Sequence, residues 1–299
     1  MAHYVEGLMT EIIVSFHDDG SIDYKTTGDL IDFQLQNGAK GFFVNGLGDE
    51  THSLTFEERV DVVKTVAERT AGKAKIMACV FVTTVAEGKQ LLDMYKGSGC
   101  DCICFTAPPF FEYTDEALYT FTSELLNYTD LPCYIYNCRE MATLYSPGLL
   151  EKLAKNHPNL KGYKDATRDT VHLIQCMMRL NPKEFDFLCG CDGSLVAHML
   201  LGGCGTVSFM AVPFPREVAD ICDYVMAGEY EKAMEAQYKI LKIRNVLKLA
   251  PNSAAYMYAQ KFTGGPLARN TRMPKEMIEI IPETMEIIDN CMKEIGMVS

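Results

Sequence analysis

The chain has 299 residues, 48% of them hydrophobic, enough for a large core, and it carries a formal net charge of −12 with a pI near 5.0. That acidity argues against nucleic acid or an anionic membrane surface as the main partner. The start lacks a basic region followed by a long apolar stretch, and no run approaches the roughly 20 apolar residues of a membrane span, so a cytoplasmic protein without a secretory leader is expected.

Residues 9–16 read as a first strand, ended by the turn Asp18-Asp19-Gly20-Ser21, and residues 24–36 as a helix stopped by Asn37-Gly38. The apolar run 41–46 is a short second strand. Thr55 then caps a helix with Glu57 and Glu58 in its first turn, where carboxylates suit the helix dipole. The unit recurs, with strands at 76–82, 100–107, 132–137, 160–165, 185–189 and 205–210. Helical patterns follow at 84–94, from Thr114 to about 126, from Ser146 towards 155, from Thr170 to near Asn181-Pro182, and at 195–201. Apolar strands alternating with amphipathic helices predict a parallel sheet covered on its outside. Eight such units favour a closed (β/α)8 TIM barrel, an α/β fold, over an open sheet. Residues 1–214 form the barrel core, and residues 215–299, with only helical pattern, the last barrel helix and an appended helical bundle.

Twelve cysteines form no Cys-x-x-Cys pair, and Cys100, Cys102 and Cys104 alternate at the period of one strand face. They read as small apolar fillers in a reducing compartment. Six scattered histidines have no ligand-like spacing, and no metal is expected.

In such a barrel the catalytic groups stand at the C-terminal ends of the strands and in the loops that follow. That rule selects Lys164 at the end of the sixth strand, Tyr136 at the end of the fifth, and the loop Gly46-Leu47-Gly48-Asp49-Glu50 after the second. A lysine amine becomes nucleophilic at neutral pH when desolvation or a neighbouring cation lowers its pKa, and a barrel interior supplies desolvation. On position alone, Lys164 serves equally as a partner for Asp165 or as a side chain reaching to solvent, and Tyr136 as a core or rim residue. Together they place a proton donor beside an amine.

The chain resembles, through nearly its whole length, the family of dihydrodipicolinate synthase and N-acetylneuraminate lyase, the pyruvate-type class I aldolases. The likeness is carried by the Asp-Gly-Ser-Ile-Asp turn at 19–23, the loop at 46–50 leading to Leu54-Thr55, and Thr84 with Glu87. It continues in Tyr136-Asn137, the lysine motif Gly162-Tyr163-Lys164-Asp165, and the Gly202-Gly203-x-Gly205 turn. The resemblance implies that Lys164 attacks the ketone carbon of a 2-oxo acid to give an iminium, and that Tyr136 moves the proton as general acid and base. It also implies a reaction without metal or organic cofactor, a small-molecule substrate as the main partner, and a homotetramer.

Three departures bear on the substrate. The family's loop after the second strand holds a substrate carboxylate with hydroxyls and amides, whereas this chain offers Leu47, Gly48 and Asp49, so backbone amides would do that work with Asp49 facing out. The synthase's arginine after the Tyr-Asn motif falls on Met141, with Arg139 nearby, and its relay tyrosine and threonine fall on Phe111 and Leu47. The lyase branch's acidic pair after the seventh strand falls on Asp192 and Gly193, and Thr167 also matches that branch; Asp192 serves equally as a cap for the helix at Ser194.

The expected substrate-binding set is therefore Gly46, Leu47, Gly48, Asp49, Arg139, Thr167, Gly190, Asp192 and Val207, around the catalytic Lys164 and Tyr136. The leading expectation is a Schiff-base lyase that cleaves a 2-oxo acid, for example a sugar acid such as N-acetylneuraminate, to pyruvate and an aldehyde. Two alternatives stand beside it. One is dihydrodipicolinate synthase, condensing pyruvate with aspartate semialdehyde; the other is a barrel that has lost turnover and serves in binding or regulation.

Overall fold

Eight short strands alternate with helices in the computed structural model, which describes residues 3–266 and 270–297. The strands are β1 (Gly7–Glu11), β2 (Gly41–Val44), β3 (Lys75–Val80), β4 (Cys102–Thr106), β5 (Cys133–Cys138), β6 (Leu160–Ala166), β7 (Asp186–Cys189) and β8 (Gly205–Ser208). Each pairs in parallel with its sequence neighbour, and β1 also pairs with β8, closing the (β/α)8 barrel. At that seam Gly7 lies opposite Gly205, and a Cβ on Gly205 would stand 2.2 Å from the Gly7 carbonyl oxygen. Only glycine lets the two strands meet there.

The outer layer consists of α1 (Tyr24–Gln36), α2 (Phe56–Thr70), α3 (Val85–Tyr95), α4 (Asp115–Leu126), α5 (Pro147–Asn156), α6 (Thr170–Arg179), α7 (Leu195–Leu200) and α8 (Pro215–Met226). The starts of α1 to α6 follow from side chains that replace missing helical acceptors. Thr55 with Glu58, and Thr84 with Glu87, close reciprocal capping boxes, while Thr114, Ser146 and Asp169 each accept a first-turn amide.

Strand alternation divides the core in two. Inward residues such as Met9, Phe43, Met77, Leu188 and Val207 fill the barrel, together with Cys102 and Cys104; outward ones such as Val44, Ile76 and Phe105 meet the helices. Cys100 precedes β4 and is only partly buried, so just two of the three alternating cysteines belong to the strand face.

Two expectations change. The first strand stops at Glu11: the Ile12 N–H still reaches the Phe43 carbonyl at 3.3 Å, but beyond it side chains take the amides, Val14 N–H donating to Asp49 Oδ2 at 2.7 Å and Ser15 N–H to Thr27 Oγ1 at 3.0 Å. The C-terminal region is not uniformly helical. After α9 (Tyr230–Leu247) and α10 (Asn252–Ala259), irregular chain with short 3₁₀ turns runs to α11 (Pro282–Glu294), interrupted by Pro266 and Pro274. That irregular stretch ties down the top of the barrel. Arg272 pairs with Glu58 and donates to the carbonyls of Gly20 and Ser53, and Thr271 Oγ1 and Arg272 N–H donate to the Glu50 carboxylate. The helices beyond β8 share one apolar cluster with Leu8, Ile13 and Leu30 of the barrel. Among the described residues no helix is long and apolar enough to cross a membrane.

Candidate active site

The register of β5 and β6 sets Tyr136 directly beside Lys164, both facing the barrel interior. Lys164 is 1% exposed, and its Nζ lies 3.7 Å from the ring centroid of Phe43 and 3.8 Å from that of Tyr136. The two rings stand edge to face, so the amine is shielded by aromatic carbon on two sides. Among the described residues no hydrogen-bond partner meets Nζ. The charge beside it is Glu11, whose Oε2 is 3.7 Å away and whose side chain is 6% exposed. Burial holds the Tyr136 hydroxyl well above its ordinary pKa, which keeps it protonated and available as a donor.

Neither alternative placement of Lys164 is realised. Asp165 falls on the other face of β6, and its Oδ1 accepts the N–H and hydroxyl of Thr167 at 2.8 and 2.7 Å. Thr167 is thereby used up in the turn after β6, where it also accepts the Asp169 N–H, and it does not line the cleft.

The loop after β2 lies over Lys164. Gly48 N–H donates to Glu11 Oε1 at 2.8 Å, and a Cβ on Gly46 or Gly48 would stand 2.2 or 2.8 Å from that same oxygen. The loop's own acids point away from the amine. Asp49 does not face out: it accepts the Val14 N–H, and burial pushes its carboxyl up to about 7. Asp49 braces the loop against Val14, in the segment that follows β1. Glu50 is the brace on the other side, through Thr271 and Arg272.

Above these groups opens a cleft of about 150 Å³, lined by Glu11, Leu47, Gly48, Tyr136, Gly190 and Asp192 among others. Gly190 is held by its N–H to the Asp165 carbonyl at 2.7 Å, and a Cβ there would be 2.8 Å from that of Ala166. Asp192 reaches the cleft, but it caps no helix. Its carboxylate accepts the Ser208 hydroxyl and the Met210 N–H, and burial raises its pKa. Val207 lies deeper, in the barrel filling opposite Met9. Arg139 is exposed and does not line the cleft; nor does Phe111, which is 69% exposed. Its cations are instead Arg168, Arg244 and Lys248.

Sequence reading missed Glu11, Phe43 and these three cations. Glu11 obeys the strand-end rule that found Lys164, but a first strand read through to residue 16 hid it in mid-strand. Arg244 and Lys248 are one helical turn apart at the end of α9, a spacing visible in the sequence but lying in a region assigned no chemistry. At the opposite end of the barrel, His3, Asp186 and Cys204 bring potential metal-ligating atoms within 4.8 Å of one another. Asp186 there already accepts the N–H groups of Tyr4 and Val5 and the Tyr134 hydroxyl, and burial holds the Cys204 thiol far above its ordinary pKa, so the group serves as a clasp on the N-terminal segment.

The sequence matches the dihydrodipicolinate synthetase family over residues 4–289. The chain belongs to that family. It is 28% identical over 293 residues to the 4-hydroxy-tetrahydrodipicolinate synthase of Hydrogenobaculum sp. (strain Y04AAS1), covering 98% of this chain and 99% of that protein. The corresponding enzyme of Albidiferax ferrireducens is 30% identical over 298 residues, covering 98% and 97%. Among solved structures, YagE, a prophage protein of the family from E. coli K12 in complex with pyruvate, superposes with a TM-score of 0.92 at 22% identity, covering 99% of this chain and all of that one. The family is one of lyases and aldolases that process small molecules.

Proposed function

We propose that this family member is a class I carbon–carbon lyase or aldolase in which Lys164 forms a Schiff base with a small carbonyl compound. One observation carries the reading: a lysine amine buried between two aromatic faces, at a strand end under the cleft, with no hydrogen bond to hold it among the described residues. Such a group is costly to keep as structure alone. As a nucleophile it is placed for use.

The step balances simply. The neutral amine nitrogen bonds to the carbonyl carbon; one of its two protons and one supplied by Tyr136 leave with the carbonyl oxygen as water, and the iminium nitrogen keeps the other. It then accepts electrons from the neighbouring carbon, which loses a proton or breaks a carbon–carbon bond, so neither metal nor organic cofactor is called upon. Tyr136, protonated and next to Lys164, is the group that carries the proton.

Between the two family activities that resemblance suggested, the relatives' names support the synthase; those quoted above give no support to sialic-acid cleavage. The site follows neither closely, since Leu47, Met141 and Phe111 stand where the synthase has its polar groups. A homotetramer is part of the same proposal, and light scattering on the purified protein reads it. The chemistry is tested by incubating the protein with a panel of carbonyl compounds and cyanoborohydride, then mapping the adduct. A reduced adduct on Lys164, absent from Lys164→Ala, is the expected result. No adduct with any carbonyl compound refutes the enzyme reading and leaves a binding or regulatory barrel.

A further inference from the structure

The cleft above Lys164 holds more positive charge than the groups around it neutralise. Arg168, Arg244 and Lys248 line it, and among the described residues none of the three forms an ion pair. Three carboxylates share the lining, but two are already engaged. Glu11 faces Lys164 and accepts the Gly48 N–H, while Asp192 accepts the Ser208 hydroxyl and the Met210 N–H. Glu140, which is exposed, is left to answer all three cations. The cations feel one another: partial burial, then repulsion from Arg244 and Arg168, lowers the pKa of Lys248. Like charges gathered in one cleft repel, and an anion among them relieves that repulsion.

The segments that carry these groups are fixed. Thr167 pins the turn after β6 by bonding to Asp165 and to the Asp169 N–H, and between them Arg168 is held with φ at +62°. Non-glycine residues rarely adopt that conformation, and such strain collects at ligand clamps. Arg244 and Lys248 lie at the end of α9, where the helix dipole favours cations. The dipole accounts for that pair, but Arg168 arrives from another segment of the chain. Tyr256 of α10 completes the group. It lines the cleft and packs edge to face on Phe209, with ring centroids 4.5 Å apart, and burial keeps its hydroxyl protonated as a donor.

We propose that Arg168, Arg244, Lys248 and Tyr256 form an anion subsite that sets substrate specificity: the substrate is a 2-oxo acid with a second anionic group at the end remote from its carbonyl, seated against these four side chains. The subsite stands on different elements from the synthase's arginine after the Tyr-Asn motif, whose place here is Met141. The proposal rests on the Schiff-base reading of Lys164 and names the remainder of the substrate. In a lyase the second anion leaves on the aldehyde product; in a synthase it arrives on the aldehyde substrate. The anionic group is a carboxylate or a phosphate ester, which the test separates.

The experiment compares trapping on Lys164 in the full chain, with cyanoborohydride, by matched 2-oxo acids. 2-Oxohexanoate, 2-oxoadipate and 6-phosphooxy-2-oxohexanoate differ at the far end, which is methyl, carboxylate or phosphate. 2-Oxopentanoate and 2-oxoglutarate are a shorter pair, and pyruvate reports the Schiff base alone. Half-saturation is read on the Lys164 peptide by mass spectrometry. At least one anionic acid is expected to half-saturate about tenfold or more below its uncharged counterpart, an advantage that shrinks as added salt screens it. Arg168→Gln, Arg244→Gln and Lys248→Gln are each expected to reduce that advantage severalfold. Half-saturation no lower for any anionic acid than for its uncharged counterpart overturns the subsite, whether or not the variants fold, while labelling by pyruvate leaves the Schiff base standing. An advantage that high salt leaves unchanged, or that survives in a folded triple variant, also overturns it. No labelling by any compound removes the Schiff-base reading and this proposal with it.

Discussion

Replacing Lys164 with methionine should destabilise the fold, although it removes a charge from the interior, because Glu11 stays behind. Two unit charges 3.7 Å apart attract by about 4 kcal/mol at an effective dielectric of roughly 20. Glu11 keeps the Gly48 N–H after the substitution and can relax towards the cleft it lines, which trims the expected loss to about 3 kcal/mol. The double variant Lys164→Met/Glu11→Gln has no charge left to strand, so it should lie within about 1 kcal/mol of the unaltered protein. The coupling between the two sites is then on the order of 2 kcal/mol or more. Urea unfolding at pH 7 and fixed protein concentration measures it, followed by far-UV circular dichroism, because the chain has no tryptophan to report by fluorescence. Effects of the two single variants that add to within about 0.5 kcal/mol in the double would refute a buried pair.

Tyr136→Phe removes only the hydroxyl from a ring that still shields Lys164, so turnover on whichever carbonyl compound is trapped should fall by roughly 10²–10⁴ while adduct formation on Lys164 persists; an unimpaired rate denies Tyr136 its proton-carrying role. Asp49 binds its proton more tightly folded, at about 7, than unfolded, so its contribution is complete below the ordinary carboxylate range and is lost as pH rises through 7. From pH 6 to pH 8 the protein should lose on the order of 1 kcal/mol relative to Asp49→Asn, which keeps an acceptor for the Val14 N–H; parallel pH profiles of Tm would count against a buried carboxyl. His198 goes the other way. Burial lowers it to about 4, so the stability that its neutral form provides is complete above pH 6.5 and declines as pH falls towards 4, by up to about 3 kcal/mol. His198→Gln should flatten that acid limb in urea titrations, and an unchanged limb would place the acid sensitivity elsewhere.

The barrel was legible because its signals are local. Helix starts at Thr55, Thr84, Thr114 and Ser146 need only a hydroxyl at a fixed offset from an amide, and the structure uses all four. Strand ends singled out Lys164 and Tyr136, but only the family resemblance gave them roles. The rest of the site depends on contacts between segments far apart in sequence. Asp49 looked free to face out because nothing local says that Val14, 35 residues earlier, will offer it an amide. Thr167 matched a family position and Arg139 stood near one, yet Thr167 spends its hydroxyl on Asp165 and Arg139 is exposed outside the cleft lining. Lys164 beside Asp165 looked like a pair, but strand alternation sends neighbours to opposite faces, and the partner came from β1 instead.

Glu11, Gly46 and Gly48 form one unit, since each constrains the others. A side chain at 46 or 48 would overlap the Glu11 carboxylate, so either glycine could acquire one only after Glu11 had shortened or turned away. A hydroxyl introduced at Leu47 alone would leave the adjacent Gly48 amide with its present acceptor. The braces matter for the same reason: Asp49 on Val14 and Glu50 on Thr271 and Arg272 fix the loop from both sides, so the Gly48 N–H has little freedom to turn from Glu11 to a ligand.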